Sequence, residues 1–198
     1  MGKKPSASCD IQIKKQNLRR HYKSLLSQLP GDDRRLYEFE IKKNLEAFLF
    51  EKGLNHGVWA SYMPMATEAN PHVDIPGITW AYPKTNNEDM EFYTCVQGAT
   101  FELSSLGVSE PTDETAVEVN KNDILGVLVP GLAFSKAGAR LGRGKAYYDK
   151  YLTDFEGVKV GLAFHAQVAD DIPLESHDVA MDYIVTNQTT IICEVKNG

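Results

Sequence analysis

No stretch of this 198-residue chain approaches the roughly 18 consecutive apolar residues that a membrane helix requires. The opening Met1-Gly2-Lys3-Lys4-Pro5 carries charge with no apolar segment behind it, unlike a secretory signal. A cytoplasmic protein without membrane contact is expected. Cysteine is scarce: Cys9, Cys95 and Cys193 are odd in number and far apart, which excludes a disulfide framework and the close spacing of a zinc site. They read as free thiols. Excess positive charge is also missing, since the formal charge is −6 at pH 7. Nucleic-acid binding driven by overall charge is therefore not expected. Internal repeats and low-complexity tracts are absent as well.

What is present, 42% hydrophobic and 24% charged residues, suits one globular domain with a sizeable core. Residues 1–9 read as a loose tail and 10–198 as a single domain, expected to be a monomer. Leu18, Tyr22, Leu25 and Leu29 recur at the spacing of one helix face, predicting a helix over Lys14–Leu29. Pro30-Gly31 ends it, Asp32 or Asp33 can cap the next, and Tyr37, Ile41, Leu45, Phe48 and Leu49 carry a second helix to Gly53. β-Branched and aromatic runs predict strands at Val58–Met63, Ile78–Tyr82 and Met90–Val96. Thr67–Val73 is expected to start a short helix, and Lys84–Asp89 to be a surface connection. The apolar run Ile124–Val129, closed by Pro130-Gly131, has the character of a strand buried on both faces of a parallel sheet. Lys145–Leu152 reads as helix, with Val158–Phe164 and Tyr183–Thr186 as further strands. Alternating strands and helices give an α/β class: three layers, with a mostly parallel sheet flanked by helices.

The chemistry concentrates after the buried strand, from Pro130 to Asp149, where α/β proteins bind ligands. Gly138, Gly142 and Gly144 permit positive φ and close backbone approach, so successive N–H groups and the next helix N-terminus can face an anion. Lys136, Arg140, Arg143, Lys145 and Lys150 stand against the single acid Asp149, a local charge of +4 in an acidic chain. A polyanion such as a nucleotide phosphate fits. The run is not the common P-loop: Ala139 stands where the first glycine belongs, and Ala146 where Ser or Thr binds magnesium. Nor is it the dinucleotide G-x-G-x-x-G motif. Asp149 is either an ion-pair partner or a residue that meets phosphate through a divalent cation. Lys15 and Arg19, four residues apart, share a helix face beside Arg20 and Lys23. That face is either solvated or reaches a nucleotide's phosphates.

Pro130-Gly131-Leu132-Ala133-Phe134, Gly138 and Arg140-Leu141-Gly142-Arg143-Gly144-Lys145-Ala146-Tyr147-Tyr148-Asp149 resemble the signature of the 5-formyltetrahydrofolate cyclo-ligase family. The likeness extends to Lys15-x-x-Leu18-Arg19, Tyr62-x-Pro64 with Glu68, Pro83-Lys84, and Gln167 through Asp178. It implies an enzyme in which ATP phosphorylates the 5-formyl oxygen, folate N10 attacks the activated carbon, and phosphate departs to leave 5,10-methenyltetrahydrofolate. By this resemblance Lys15, Arg19 and Arg140, Leu141, Gly142, Arg143, Gly144, Lys145, Ala146, Tyr147 and Tyr148 hold ATP. Met63, Glu68 and Arg143–Tyr147 line the folate site, Lys145, Arg140 and Arg143 offset phosphoryl charge, and Asp149 and Asp178 hold Mg2+. Glu68 can accept adjacent pterin N–H groups as a bidentate pair; taken alone it is a helix-capping acid. Ala146 stands where the family commonly has glycine. His165 and His177 receive no role. Two rival readings are a family-related binding protein without turnover and a small-molecule kinase with an unusual phosphate loop.

Overall fold

The computed structural model describes residues 7–86, 89–96, 99–105, 107–112, 114 and 116–194. Helices α1 (Ala7–Ser27) and α2 (Gly31–Glu51) open the chain. The expected loose tail, residues 1–9, falls outside the described residues as far as residue 6, and Ala7–Cys9 form the first turn of α1. Pro30 occupies the cap of α2, while Asp32 and Asp33 lie inside its first turn, where their charge complements the helix dipole.

Among the described residues thirteen strands follow in order with one further α-helix: β1 (Gly57–Ala60), β2 (Ile78–Asn86), β3 (Asp89–Cys95), β4 (Phe101–Leu103), β5 (Ser109–Pro111), β6 (Ala116–Glu118), β7 (Ile124–Val129), β8 (Ala133–Ser135), β9 (Arg140–Leu141), α3 (Tyr147–Leu152), β10 (Val158–Ala163), β11 (Val168–Ala169), β12 (Tyr183–Thr186) and β13 (Thr190–Ile192). The main sheet runs β13-β12-β10-β7-β1-β2-β3-β6. Strands β12, β10, β7, β1 and β2 are mutually parallel, and β13, β3 and β6 pair antiparallel at the flanks. Strands β11-β8-β9 and β4-β5 form two small separate sheets. The α/β class with a mostly parallel sheet is as expected.

Each face of the sheet has its own core. Tyr22, Leu26, Ile41, Leu45, Phe48 and Leu49 of α1 and α2 pack on Trp59, Leu128, Val160 and Val185. On the opposite face Tyr151, Leu152 and Phe155 pack on Phe92, Ile124, Val127 and Ile184. Helices therefore flank the sheet on both sides, and β7 is buried on both faces as its apolar run predicts. Its pairing with β1 shifts register between Val58 and Trp59, and a Cβ on Gly126 would lie only 2.5 Å from the Trp59 ring. Glycine at position 126 is what lets the indole approach the central strand so closely.

Four sequence expectations are corrected. Thr67–Val73 forms no helix; a turn at residues 66–67 and a bend at Glu68 are followed by a segment without regular secondary structure. Pro71 disfavours helical geometry at Asn70, and Tyr62 Oη donates to Ala69 O at 2.7 Å, holding the segment in place. The Lys84–Asp89 connection is mostly strand: Lys84 faces Glu91, Thr85 faces Met90 and Asn86 faces Asp89, with only residues 87–88 between. Polar side chains there decorate a hairpin rather than a loop. Strand β1 stops at Ala60, and Ser61 N still bonds Ala81 O at 2.7 Å as the chain leaves the sheet. The expected helix from Lys145 begins at Tyr147, because Ala146 takes the left-handed conformation with φ 59°. The three cysteines are free, as expected.

Candidate active site

A cavity of about 410 Å³ lies beyond the C-terminal ends of β1, β2 and β7. Lys15, Arg19, Met63, Glu68, the run Arg140–Asp149 and Asp178 all line it. Parallel strands bring this about by delivering successive loops to one edge of the sheet. The segment after β1 contributes Met63 and Glu68, the segment after β7 contributes Pro130 and Gly131, and α1 contributes Gln12, Lys15 and Arg19.

Lys15 and Arg19 leave α1 on the same face, as their spacing predicts. Lys15 is 3% exposed, and its Nζ donates to Asp178 Oδ2 at 2.5 Å and Glu175 Oε2 at 2.9 Å. Gln12, one turn earlier, donates to both oxygens of Glu175. Arg19 Nε donates to Gly142 O at 3.0 Å. The other bases of the helix turn away: Lys23 is exposed, and Arg20 bonds Asn17 on the surface. The basic surface of α1 is thus divided between the cavity and solvent.

The loop after β7 folds back as the β8-β9 hairpin, closed by Ser135 N bonding Ala139 O and by Gly138 at φ 87°. A Cβ on Gly138 would meet Met181 O at 2.6 Å, so no larger residue fits there. Arg140 of β9 donates to Asp149 Oδ2 at 2.8 Å and to Pro130 O at 3.3 Å, and its guanidinium lies over the Tyr148 ring. Gly142 does not have positive φ; its missing side chain leaves room for the Arg140 guanidinium, 2.9 Å from where a Cβ would stand. Arg143 reaches the segment after β1, donating from Nε to Glu68 Oε1 at 2.8 Å and from Nη2 to Thr67 Oγ1 at 2.7 Å. Lys145 is exposed and, among the described residues, has no hydrogen-bond or ion-pair partner.

Glu68 is 8% exposed. Its second oxygen accepts from Met65 N at 3.0 Å, so the carboxylate closes a turn rather than capping a helix, and faces Arg143 as well. Burial, with the Glu68 charge nearby, holds both the Tyr62 and Tyr148 phenols well above their usual range, and both stay neutral. Tyr148 Oη and Arg140 Nε are buried without a hydrogen-bond partner among the described residues. Both belong to residues that line the cavity.

Lys15, Arg19, Arg140, Arg143 and Lys145 are balanced on this wall by Glu68, Glu110, Asp149, Glu175 and Asp178. A polyphosphate added to such a balanced site needs a further cation. The carboxylates suit a hard divalent ion: Asp149 and Asp178 are each tied to a base through Oδ2, and neither Oδ1 accepts a hydrogen bond among the described residues. Ligand atoms of Glu175, His177 and Asp178 also lie within 4.8 Å of one another. The residues therefore fit a magnesium ion.

Several lining residues escaped sequence reasoning. Gln12 was findable, being one helical turn from Lys15. Thr85, Met90, Val108 and Glu110 carried no motif, whereas Glu175 and His177 lie inside the family-like Gln167–Asp178 stretch without having been given a role. His165 lies away from the cavity, with Nδ1 3.4 Å from Thr186 Oγ1.

A profile of the 5-formyltetrahydrofolate cyclo-ligase family matches residues 14–187. The chain belongs to that family. A cyclo-ligase from Saccharomyces cerevisiae is 46% identical over 39% of this chain and 41% of its own length. The Mus musculus cyclo-ligase is 43% identical over 52% of this chain and 55% of its own length. A probable cyclo-ligase from Caenorhabditis elegans is 26% identical over 92% and 97% respectively. Two solved 5,10-methenyltetrahydrofolate synthetases share the cyclo-ligase architecture at 27% identity. The Mycoplasma pneumoniae structure has a TM-score of 0.72 over 87% of this chain and 98% of its own. The Aquifex aeolicus structure scores 0.77 over 93% and 94%. No helix among the described residues is long and apolar enough to cross a membrane.

Proposed function

We propose that the chain catalyses ATP-dependent closure of 5-formyltetrahydrofolate to 5,10-methenyltetrahydrofolate, as a cytoplasmic monomer that meets neither nucleic acid nor membrane. The observation that carries this reading is the convergence of the family-like Arg140–Asp149 loop with Lys15, Arg19 and Glu68 on one cavity. Hydroxide is a poor leaving group from a formyl carbon and phosphate a good one, which is why a ring closure that expels the oxygen consumes a nucleotide. The formyl oxygen attacks the γ-phosphorus of ATP and ADP leaves. Folate N10 then adds to the activated carbon and loses its proton, and the carbon–oxygen bond breaks to release inorganic phosphate. Atoms and charge balance without a covalent enzyme intermediate.

In this reading the phosphates lie against Lys15, Arg19 and the Arg140–Tyr148 loop, with Met63, Glu68 and Arg143–Tyr147 around the folate. Arg140, Arg143 and Lys145 offset charge on the transferred phosphoryl group by position alone. Asp149 and Asp178 would hold a magnesium ion, which supplies charge neutralisation to the phosphates. Glu68, already ordered by Arg143 and Met65 N, offers its carboxylate to the pterin. The test is the rise of methenyl-folate absorbance when the purified protein meets 5-formyltetrahydrofolate and Mg-ATP, with controls lacking nucleotide or metal. A rise that needs both is expected. Nucleotide binding without any rise would favour the non-catalytic alternative.

A further inference from the structure

We propose that Glu110 is a positioning residue that sets the affinity of the cavity for the reduced folate; this rests on the functional reading above. Glu110 belongs to β5, is 9% exposed, and lines the main cavity although no motif points to it. Both of its oxygens are engaged by one residue. Thr85 Oγ1 donates to Oε1 at 2.7 Å and Thr85 N donates to Oε2 at 3.3 Å. No base among the described residues forms an ion pair with it. A carboxylate this buried and without a cation is costly unless its hydrogen bonds are kept, so the clamp on Thr85 is stiff.

The clamp joins two structures that the main sheet does not. The β4-β5 hairpin lies outside the eight-stranded sheet, whereas Thr85 is in β2. The hairpin also meets β2 through the edge-on contact of Phe101 with Tyr82, at 5.5 Å between ring centroids. Val108, adjacent to β5, and Met90, paired with Thr85 across the β2–β3 ladder, both line the cavity beside Pro83. Val108, Thr85, Met90 and Pro83 thus form one wall, largely apolar, whose two halves are held together by Glu110. In the sheet order this wall lies on the β2–β3 side of β1, and the phosphate loop follows β7 on the other side. An apolar wall suits the aryl part of a folate and offers nothing to a triphosphate. Loosening the clamp therefore weakens folate binding and leaves the nucleotide alone.

Steady-state kinetics on the full chain separate the two substrates. Glu110→Ala is expected to raise KM for 5-formyltetrahydrofolate on the order of tenfold, with KM for ATP and kcat at saturating folate moving far less. Glu110→Gln is expected to restore most of the affinity, because its amide oxygen can accept from Thr85 N while its NH2 donates to the Thr85 hydroxyl. An unchanged folate KM in Glu110→Ala, a parallel rise in both KM values, or a Glu110→Gln variant as impaired as the alanine would each overturn the proposal. If Glu110→Ala fails to fold, Thr85→Val, which removes only the hydroxyl donor, decides in its place: a folate-selective rise supports the clamp and an unchanged folate KM overturns it. A wild-type protein that turns over while Glu110→Ala keeps its folate KM sinks this inference alone. A wild-type protein that neither binds nor converts the folate sinks the functional reading with it.

Discussion

Arg143 Nε sits 2.8 Å from Glu68 Oε1, joining the loop after β9 to the segment after β1 across 75 positions of sequence. Arg143 is expected near the phosphates and Glu68 near the pterin, so this pair is a bridge between the two halves of the site. Its carboxylate side is buried and its guanidinium side 29% exposed. Replacing Arg143 with Ala leaves a buried carboxylate without its cation, a strongly unfavourable state. Arg143→Ala is expected to lower kcat/KM for the folate by on the order of 10²-fold. Measuring kcat/KM checks this, and a variant within threefold of wild type would remove the bridge from the mechanism.

Lys145 differs from Arg140 and Arg143 in having no hydrogen-bond or ion-pair partner among the described residues. Lys145→Ala should leave the melting temperature unchanged while turnover falls by roughly 10²-fold or more, the cost of removing one preorganised donor. Wild-type turnover in the variant would show that the transferred phosphoryl group does not meet this lysine.

Asp149 pairs with Arg140 through Oδ2, while its Oδ1 accepts no hydrogen bond among the described residues. Asp149→Asn preserves shape and removes charge, so activity should require a higher magnesium concentration while folate binding is nearly intact. Chelation of the metal should abolish turnover in the wild type. A magnesium titration that superimposes on the wild-type curve would count against the assignment.

Ala146 occupies the left-handed region at φ 59°, ψ 10°. A Cβ there costs about 1 kcal/mol relative to glycine. Ala146→Gly is expected to stabilise the protein by up to that amount, less the extra freedom glycine gains when unfolded. The melting temperature should rise by about 2–4 °C at most; a fall would mean that the methyl group contributes packing.

Glu175 links α1 to the segment before Asp178. Hydrogen bonds from Lys15 foremost, then Gln12, hold its carboxyl below the usual glutamate range. A depressed native pKa binds fewer protons than the unfolded chain, so its contribution is present above the ordinary glutamate value and is lost as pH falls through the native one. Acid should therefore loosen the anchorage of Lys15, and salt should weaken it at neutral pH. In Glu175→Gln the acid limb of a stability–pH profile should become shallower. An unaltered profile would show that the contact does not contribute to stability.

Much of the fold is legible in the sequence alone. The helical period of Leu18, Tyr22, Ile41 and Leu45, and the two-sided apolar run at Ile124–Val129, reflect burial, and burial is written in side-chain type. The Arg140–Asp149 signature was legible for a similar reason, since glycine, base and acid at fixed spacing are local features. Illegible were the pairings. Thr67–Val73 reads as the start of a helix only when the backbone cost at Asn70 before Pro71 is not weighed, and Lys84–Asp89 reads as a loop because its residues are polar, although the end of β2 still pairs with β3.

The sequence by itself determined the class of fold, the position of the central strand and the phosphate-like loop, because each depends on residues close together in the chain. Only the tertiary structure decided that Lys15 lies between Glu175 and Asp178, that Glu68 faces Arg143, and that Glu110 clamps Thr85. Those contacts depend on the order in which parallel strands are laid side by side, which brings distant loops to one edge and is not encoded in any single short segment.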